Sequence, residues 1–540
     1  MTRCGRRALT FGILIGLGGC TVGPDYKAPA APGVPAWKDA AGHDPAVSQF
    51  TDPDPRWWKA FCDPMLSELI ATAIAGNLDL QQAVLRVEES RQNIVTARAA
   101  GLPTLNGTAS YNREQLGIKG ILESQGVYNQ LNALADQNSP LNQYSPGLGN
   151  RANSTLGGTL NRITQPIDLF QYGLDASWEL DLFGRVRRSV EQAEASTQAQ
   201  REATNDALIM LESEVAQSYV QLRGAQALTV SQQENIRAAE GSLNLTLRRQ
   251  RDGLGTGLDT DQARTQLYTY QQQLPAYERQ AEQAINQLSV LIGQPPGTLD
   301  AKLVPPAPLP SLPGIVNVGV PSALARRRPD IRQAEAQLHA ATANVGVSVA
   351  SFYPDVSLTG NLGIRAIDAS YLTNWASHFY SVGPSVSLPI FQGGRLTAGL
   401  RLARAQEVAS ALSYRGTVLN ALREVENDLV AYRTDRAERD RLVQTVSSAA
   451  DTLYLATNQY EHGLQTFLQV LDAERTLVSA RQQLVQTDMT LANDVVALYR
   501  ALGGGWQDTG VETQVPTVPQ APPILPGALD SVAAGTKSYK

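Results

Sequence analysis

GLQTFLQVLDAERTL, residues 463–477, repeats six of the fifteen residues of GLGTGLDTDQARTQL, residues 253–267, at a shift of 463 − 253 = 210. The same shift superposes Gly184-Arg185 on Gly394-Arg395, Glu214-Val215 on Glu424-Val425, Gln272-Gln273-Leu274 on Gln482-Gln483-Leu484, and Gly293 on Gly503. No gap is needed across about 110 residues, so the chain is an internal duplication before it is anything else. In each copy the motif separates a very long periodic run from a shorter one, which predicts a helical hairpin with the Gly-Leu-x-Thr stretch as its tip.

The runs before the tips, residues 184–252 and 394–462, predict helices of about 69 residues, roughly 100 Å at 1.5 Å per residue. The return helices, 258–292 and 468–502, are about half as long. A second alignment, at a shift of 251, lays residues 77–109 on 328–360 and puts Asp79 on Asp330, Ala83 on Ala334 and Pro103 on Pro354. Helices at 77–102 and 328–353 therefore supply the missing length if stacked end to end on the returns. Within the last return, Leu477, Leu484, Leu491 and Leu498 lie seven apart, a heptad that predicts packing along a neighbouring helix. Pro275 is expected to kink the first return.

Each proline that ends a 26-residue helix is followed by period-two alternation. DVSLTGNL (355–362) and SVGPSVSL (381–388) match TLNGTASY (104–111) and residues 172–178, with Ser, Thr, Asn and Gly on one face and mostly apolar groups on the other. Four strands of about ten residues suit a membrane barrel with a wet interior. They cannot close one alone, and an open edge cannot sit in lipid, so several chains must contribute. Two copies would supply eight strands and three would supply twelve. The shifts differ by 251 − 210 = 41 residues, an excess in the first copy between Ala109 and Gly173 that reads as a long exposed loop.

The N-terminus carries Arg3, Arg6 and Arg7, an apolar run to Leu17 and Leu17-Gly-Gly-Cys20, the pattern of a lipoprotein signal. The run is too short to span a bilayer. Cleavage before Cys20 removes three arginines and no acid, taking the formal charge from −6 to −9, which speaks against a nucleic-acid partner. It also leaves Cys62 as the one free thiol. The expected organisation is signal 1–19, an extended Pro/Ala-rich leader 20–56, first repeat 57–293, Pro-rich linker 294–320, second repeat 321–503 and a C-terminal segment 504–540. The Trp57-Trp58 pair is expected in the core. No catalytic constellation is found: His43, His339, His378 and His462 lack metal-ligand spacing, no cofactor motif is present, and Gly253-x-Gly255-x-Gly257 joins two helices instead of following a strand. The protein is not expected to be an enzyme.

CTVGPDY at 20–26, WWKAFCDP at 57–64, GVPSALARRRPD at 319–330, LPIFQGGR at 388–395 and LGGGW at 502–506 together resemble the outer-membrane efflux lipoproteins, the TolC-like channel-tunnels of the NodT/OprM branch. The resemblance covers nearly the whole chain. It implies an α+β membrane protein and a homotrimer, with a 12-stranded transmembrane β-barrel continuous with a periplasmic 12-helix α-barrel. It further implies a lipid on Cys20 in the outer membrane, docking through a periplasmic adaptor to an inner-membrane exporter of RND type, and passive export of small toxic molecules or drugs. A duct for type I protein secretion, or a purely structural periplasmic coiled-coil lipoprotein, are the alternatives. The tips at Gly253, Leu254, Thr256 and Gly463, Leu464, Thr466 are expected to receive the adaptor. By resemblance, Leu468 forms a constriction and Asp472 an acidic ring at the periplasmic aperture, and Tyr460 bonds Asp259 to restrain the second hairpin. A family arginine position is Gln465 here.

Overall fold

The structure, a computed structural model, describes residues 21–30, 34, 36–38, 46–48, 51–115 and 117–507. Cys20 and the segment after residue 507 lie outside the described residues. In chain order the elements are α1 (Pro64–Gly76), α2 (Leu78–Ala99), β1 (Thr104–Glu114), α3 (Ile118–Ser124), α4 (Val127–Ala135), α5 (Pro140–Tyr144), α6 (Leu148–Ile163), β2 (Ile167–Glu179), α7 (Arg185–Arg251), α8 (Gly257–Leu291), α9 (Pro329–Ala350), β3 (Asp355–Ala366), β4 (His378–Ser387), α10 (Arg395–Glu461) and α11 (Phe467–Ala501). The two long helices are 67 residues each and the two returns 35 each, at positions related by the repeat. Helix α8 runs uninterrupted through Pro275.

The chain divides into two compact units. One holds residues 95–190 and 344–401, with the four-stranded sheet; the other holds 25–94, 191–343 and 402–507, with most of the helices. In the first unit the strands lie in sequence order, all antiparallel. The register keeps the alternation in phase across the sheet. Asn106 pairs with Asp175, Asp175 with Asn361 and Asn361 with Ser381, while on the other face Leu174 pairs with Leu362 and Leu362 with Tyr380. One face is thus polar across every strand, with Thr108 Oγ1 donating to Asp175 Oδ2 at 2.9 Å. The other is apolar and exposed, carrying Leu105, Leu174, Leu362, Val382 and Val386. The sheet is open: β1 and β4 each have one edge without a partner strand among the described residues.

The 41-residue excess is helical, a correction to the expected loop. Ser139 caps α5, with Pro140 at its first position, and Gly117, Gly126 and Gly147 precede the starts of α3, α4 and α6 in left-handed backbone. Glycine and proline mark the joints between short helices here, a reading that composition alone does not separate from irregular loop.

In the second unit the expected end-to-end stacking is present, and the two repeats build it with different side chains. Asn77 caps α2 through Leu80 N at 2.9 Å and donates from Nδ2 to Leu291 O, at the end of α8, at 2.9 Å. Its counterpart Arg328 donates from Nη1 to Ala501 O, at the end of α11, at 2.9 Å, while its fork grips Asp330. Each return helix ends in the same way: Gly293 N reaches Val290 O and Gln294 N reaches Ser289 O, and Gly503 N reaches Arg500 O and Gly504 N reaches Tyr499 O. These are Schellman endings, which satisfy two carbonyls that a helix C-terminus leaves bare.

The core of this unit takes in Trp57 and Trp58, as expected, with Trp57 stacked on Tyr499 at 5.7 Å. The tryptophans lie on a 3₁₀ turn that ends at Cys62, in left-handed backbone, before Asp63 caps α1 through Met65 N and Leu66 N. The Pro/Ala-rich leader, expected to be extended, is fastened at separated points: Tyr26 stacks on His339 at 4.2 Å, Trp37 is buried and donates from Nε1 to Gly319 O at 2.9 Å, and Val47–Ser48 pairs in parallel with Val316–Asn317. Such a stretch cannot form a core of its own, but single aromatic residues in it can complete one supplied by other segments.

Candidate functional site

The two hairpin tips end their long helices with the same backbone geometry but are held by different side chains. Helix α7 ends with Gly253 N on Gln250 O and Leu254 N on Arg249 O; helix α10 ends with Gly463 N on Tyr460 O and Leu464 N on Gln459 O. Gly253 and Gly463 have φ of +73° and +75°, and no atom lies within 3.8 Å of where a Cβ on either would stand. Glycine is therefore required by conformation and not by crowding. The residue after it usually folds back onto the helix, yet Leu254 and Leu464 are 69% and 74% exposed. Two related apolar tips thus stand free in each chain.

The helices that leave the tips start differently. Thr256 Oγ1 accepts from Asp259 N, and Asp259 Oδ2 accepts from Thr256 N, both at 3.2 Å, a complete capping box. Thr466 makes no side-chain cap; Gln469 N reaches the Thr466 carbonyl at 3.2 Å instead of its hydroxyl. The second hairpin is held by packing instead. Phe467, where the first repeat has Gly257, is buried against Tyr460 at 5.4 Å, with Val470, Leu471 and Ala263 around it.

The expected bond between Tyr460 and Asp259 is absent. Tyr460 is buried and its hydroxyl has no hydrogen-bond partner, and Asp259 is engaged in its capping box. The two are near enough to matter electrostatically: burial, then the Asp259 charge, push the Tyr460 phenol above its ordinary range. Besides the packing of Ala263 on the Phe467 cluster and the bond from Arg475 Nε to Gln266 Oε1 at 2.9 Å, the two hairpins are joined at the tips by Arg249, a residue that no motif marks in the sequence. Its guanidinium lies over the Tyr460 ring at 4.7 Å, donates from Nη1 to Glu461 O at 2.8 Å and from Nη2 to Leu254 O at 3.3 Å. One cation on α7 thereby holds the end of α10 and the first tip together. The signal for it was the basic last turn of α7, Arg248, Arg249 and Arg251, where cations also suit the helix dipole; the repeat partner of Arg249 is Gln459.

Leu468 and Asp472 are both exposed, one turn apart on α11. Asp472 has no ion-pair partner among the described residues and lines a groove of about 540 Å³ with Gln469, Thr476, Ser448, Thr452 and Arg441. Deeper on the same helix Glu474 is buried beside Tyr270, and neither Glu474 Oε1 nor the Tyr270 hydroxyl has a partner. Burial pushes the Glu474 carboxyl up to about 7, against the smaller opposing pull of Ser242 and Arg475. Among the described residues no group of three His, Cys, Asp or Glu could hold a metal, and no helix is long and apolar enough to cross a membrane.

The family profile described as outer membrane efflux protein matches residues 69–294 and 320–504. The antibiotic efflux pump outer membrane protein ArpC of Pseudomonas putida is 32% identical over 505 residues, 93% of this chain and 96% of ArpC. The toluene efflux pump outer membrane protein TtgC of the same species has the same identity and the same coverage of both chains. Among solved structures, the outer-membrane channel OprN superposes with a TM-score of 0.77 at 32% identity, over 90% of this chain and all of OprN.

Proposed function

The chain belongs to the outer membrane efflux protein family, the outer-membrane components of efflux pumps, and from that membership we propose that three copies form a passive exit duct for small toxic molecules. The observation that carries the proposal is the sheet: an in-phase apolar face and two unpaired edges have no stable place in water, and neighbouring copies in lipid satisfy both. Three copies give twelve strands and twelve long helical segments, with the polar face turned to a water-filled lumen. Antibiotics and toluene, the cargo in the names of its relatives, set the substrate class. Cys20 carries the lipid anchor, a periplasmic adaptor seats on the six tips, and an inner-membrane exporter of RND type supplies the energy. Export is from the periplasm to the exterior.

Asp472 and Leu468 line the periplasmic aperture. Three Asp472 carboxylates near one axis favour cations in the mouth. The purified protein in a planar bilayer is therefore expected to conduct with cation preference, and in Asp472→Ala the reversal potential under a potassium chloride gradient moves toward zero. Protein that inserts and conducts nothing, or an Asp472→Ala channel with the wild-type reversal potential, rules out this assignment. For the tips, photo-crosslinkers placed at Leu254 and Leu464 are expected to capture a periplasmic adaptor in intact cells. Capture from neither tip would remove the docking role.

A further inference from the structure

Two connections close the hairpins of the sheet, and the register puts them at the same end. Glu114 pairs with Ile167 across the helical insertion, and Ile364 with His378 across residues 367–377. The Tyr172 hydroxyl donates to Leu372 O at 2.8 Å at that end. The insertion is folded in its own right. Leu131 and Gly149 are buried, and Asn142 staples it, donating to Asp136 O at 2.9 Å and accepting from Gly149 N at 2.8 Å.

The packed side of α6 is that of Gly149 and Leu160. The adjoining arc leaves Leu148, Leu156 and Ile163 exposed by 40 to 50%, and the helix's only charges are Arg151 and Arg162. Residues 367–377 show the complementary character: Ile367, Tyr371 and Trp375 are exposed by 54 to 74%, and the one charge is Asp368. Neither surface is covered by another segment among the described residues. Apolar groups left bare on two folded segments of one molecule mark an interface.

We propose that these are the two halves of one contact between copies of this chain, the α6 stripe of one copy packing on residues 367–377 of the next. The inference rests on the trimeric reading. The insertion begins where β1 ends, residues 367–377 end where β4 begins, and β1 and β4 are the two unpaired edges. Closing the barrel joins β1 of one copy to β4 of its neighbour, which brings these two surfaces side by side across the boundary between copies. The arginines of α6 then meet Asp368 at the margin of an apolar joint.

The test is disulfide trapping of the full-length chain in the outer membrane. Leu156→Cys and Trp375→Cys are combined in a Cys62→Ser background, since Cys62 is free and exposed, with each single variant as control. Mild oxidation is expected to give covalent dimers and trimers from the pair and none from either single variant. Native mass measurement on the same samples separates the possible failures. A trimer that never crosslinks through the pair overturns this contact and leaves the trimeric reading standing, whereas protein that never assembles overturns both. A disulfide formed inside one chain also overturns it, as does a pair that becomes reactive only after lipopolysaccharide is stripped, which would make lipid the occupant. As a second measure, Leu156→Ser with Ile163→Ser is expected to lower the temperature at which the trimer dissociates, while the monomer keeps its circular dichroism. An unchanged dissociation temperature overturns the contact.

Discussion

Channels carrying Arg249→Ala are expected to open far more readily than the wild type. The substitution removes two hydrogen bonds from a cation to the Glu461 and Leu254 carbonyls and the face contact with Tyr460. At a partly exposed site these together are worth about 2 kcal/mol, or roughly a 30-fold change in the ratio of closed to open tips. Single-channel recording should show that change as a higher open fraction, and cells should become sensitive to bulky antibiotics that the closed tip excludes. Arg249→Lys should recover only part of the closure, since a compact ammonium lacks the planar guanidinium that spans both carbonyls while lying over the Tyr460 ring. Wild-type gating in Arg249→Ala would mean that the Phe467 cluster and the Arg475–Gln266 bond hold the tip without it.

Glu474 adds a pH dependence whose sign follows from its burial. Its carboxyl titrates at about 7 when packed beside Tyr270 and nearer the ordinary value once the helix loosens. Below the ordinary value both states are protonated. Between there and about pH 7 only the packed state keeps its proton, so packing weakens as pH rises; above about 7 the penalty is constant. Opening should therefore ease as the pH rises from the ordinary carboxylate value to about 7, and Glu474→Gln, which cannot ionise, should flatten that slope in wild-type and Arg249→Ala channels alike.

Gly293→Val should be the most damaging single substitution to the helical unit. Gly293 has φ of +74°, and a Cβ there would stand 2.2 Å from the Gly76 carbonyl oxygen; a Cβ on Gly76 would in turn stand 2.4 Å from Ile292 O. Backbone meets backbone at this joint, so no side chain can swing away. Left-handed strain for a β-branched residue plus the overlap should cost roughly 3 to 5 kcal/mol. The expected result is little or no folded protein recovered from membranes. Gly253→Ala is the control, since Gly253 has nearly the same φ but nothing within 4 Å of its Cβ position, and it should lose only about 1 to 2 kcal/mol. Equal losses in the two variants would show that conformation, not the close joint, dominates at Gly293.

The duplication, the lengths of the long helices and their returns, the four strands and the placement of the tips were all legible in the sequence. Each rests on a local period: 3.6 along a helix, two along a strand, and glycine where the backbone must turn left-handed. A repeat shift reports such periods twice, so chance matches cancel. The family resemblance carried the biological role, because no arrangement of polar residues in one chain announces a duct.

Tertiary structure alone decided which side chains act across those elements. Asn77 and Arg328 do the same work at the two helix joints, though one is an amide and the other a guanidinium; the repeat alignment lays one on the other but cannot say that such unlike groups make the same bond. Asp259 was assigned to Tyr460 but is engaged by its own helix start, and the cation that does hold Tyr460 comes from α7, where it looked like one more basic residue in a last turn. The leader's Trp37 and the helices of the insertion were hidden for a related reason. Whether a proline- or glycine-rich stretch stays loose depends on whether a distant segment offers it a surface to cover, and that is a property of three-dimensional contact which no local period encodes.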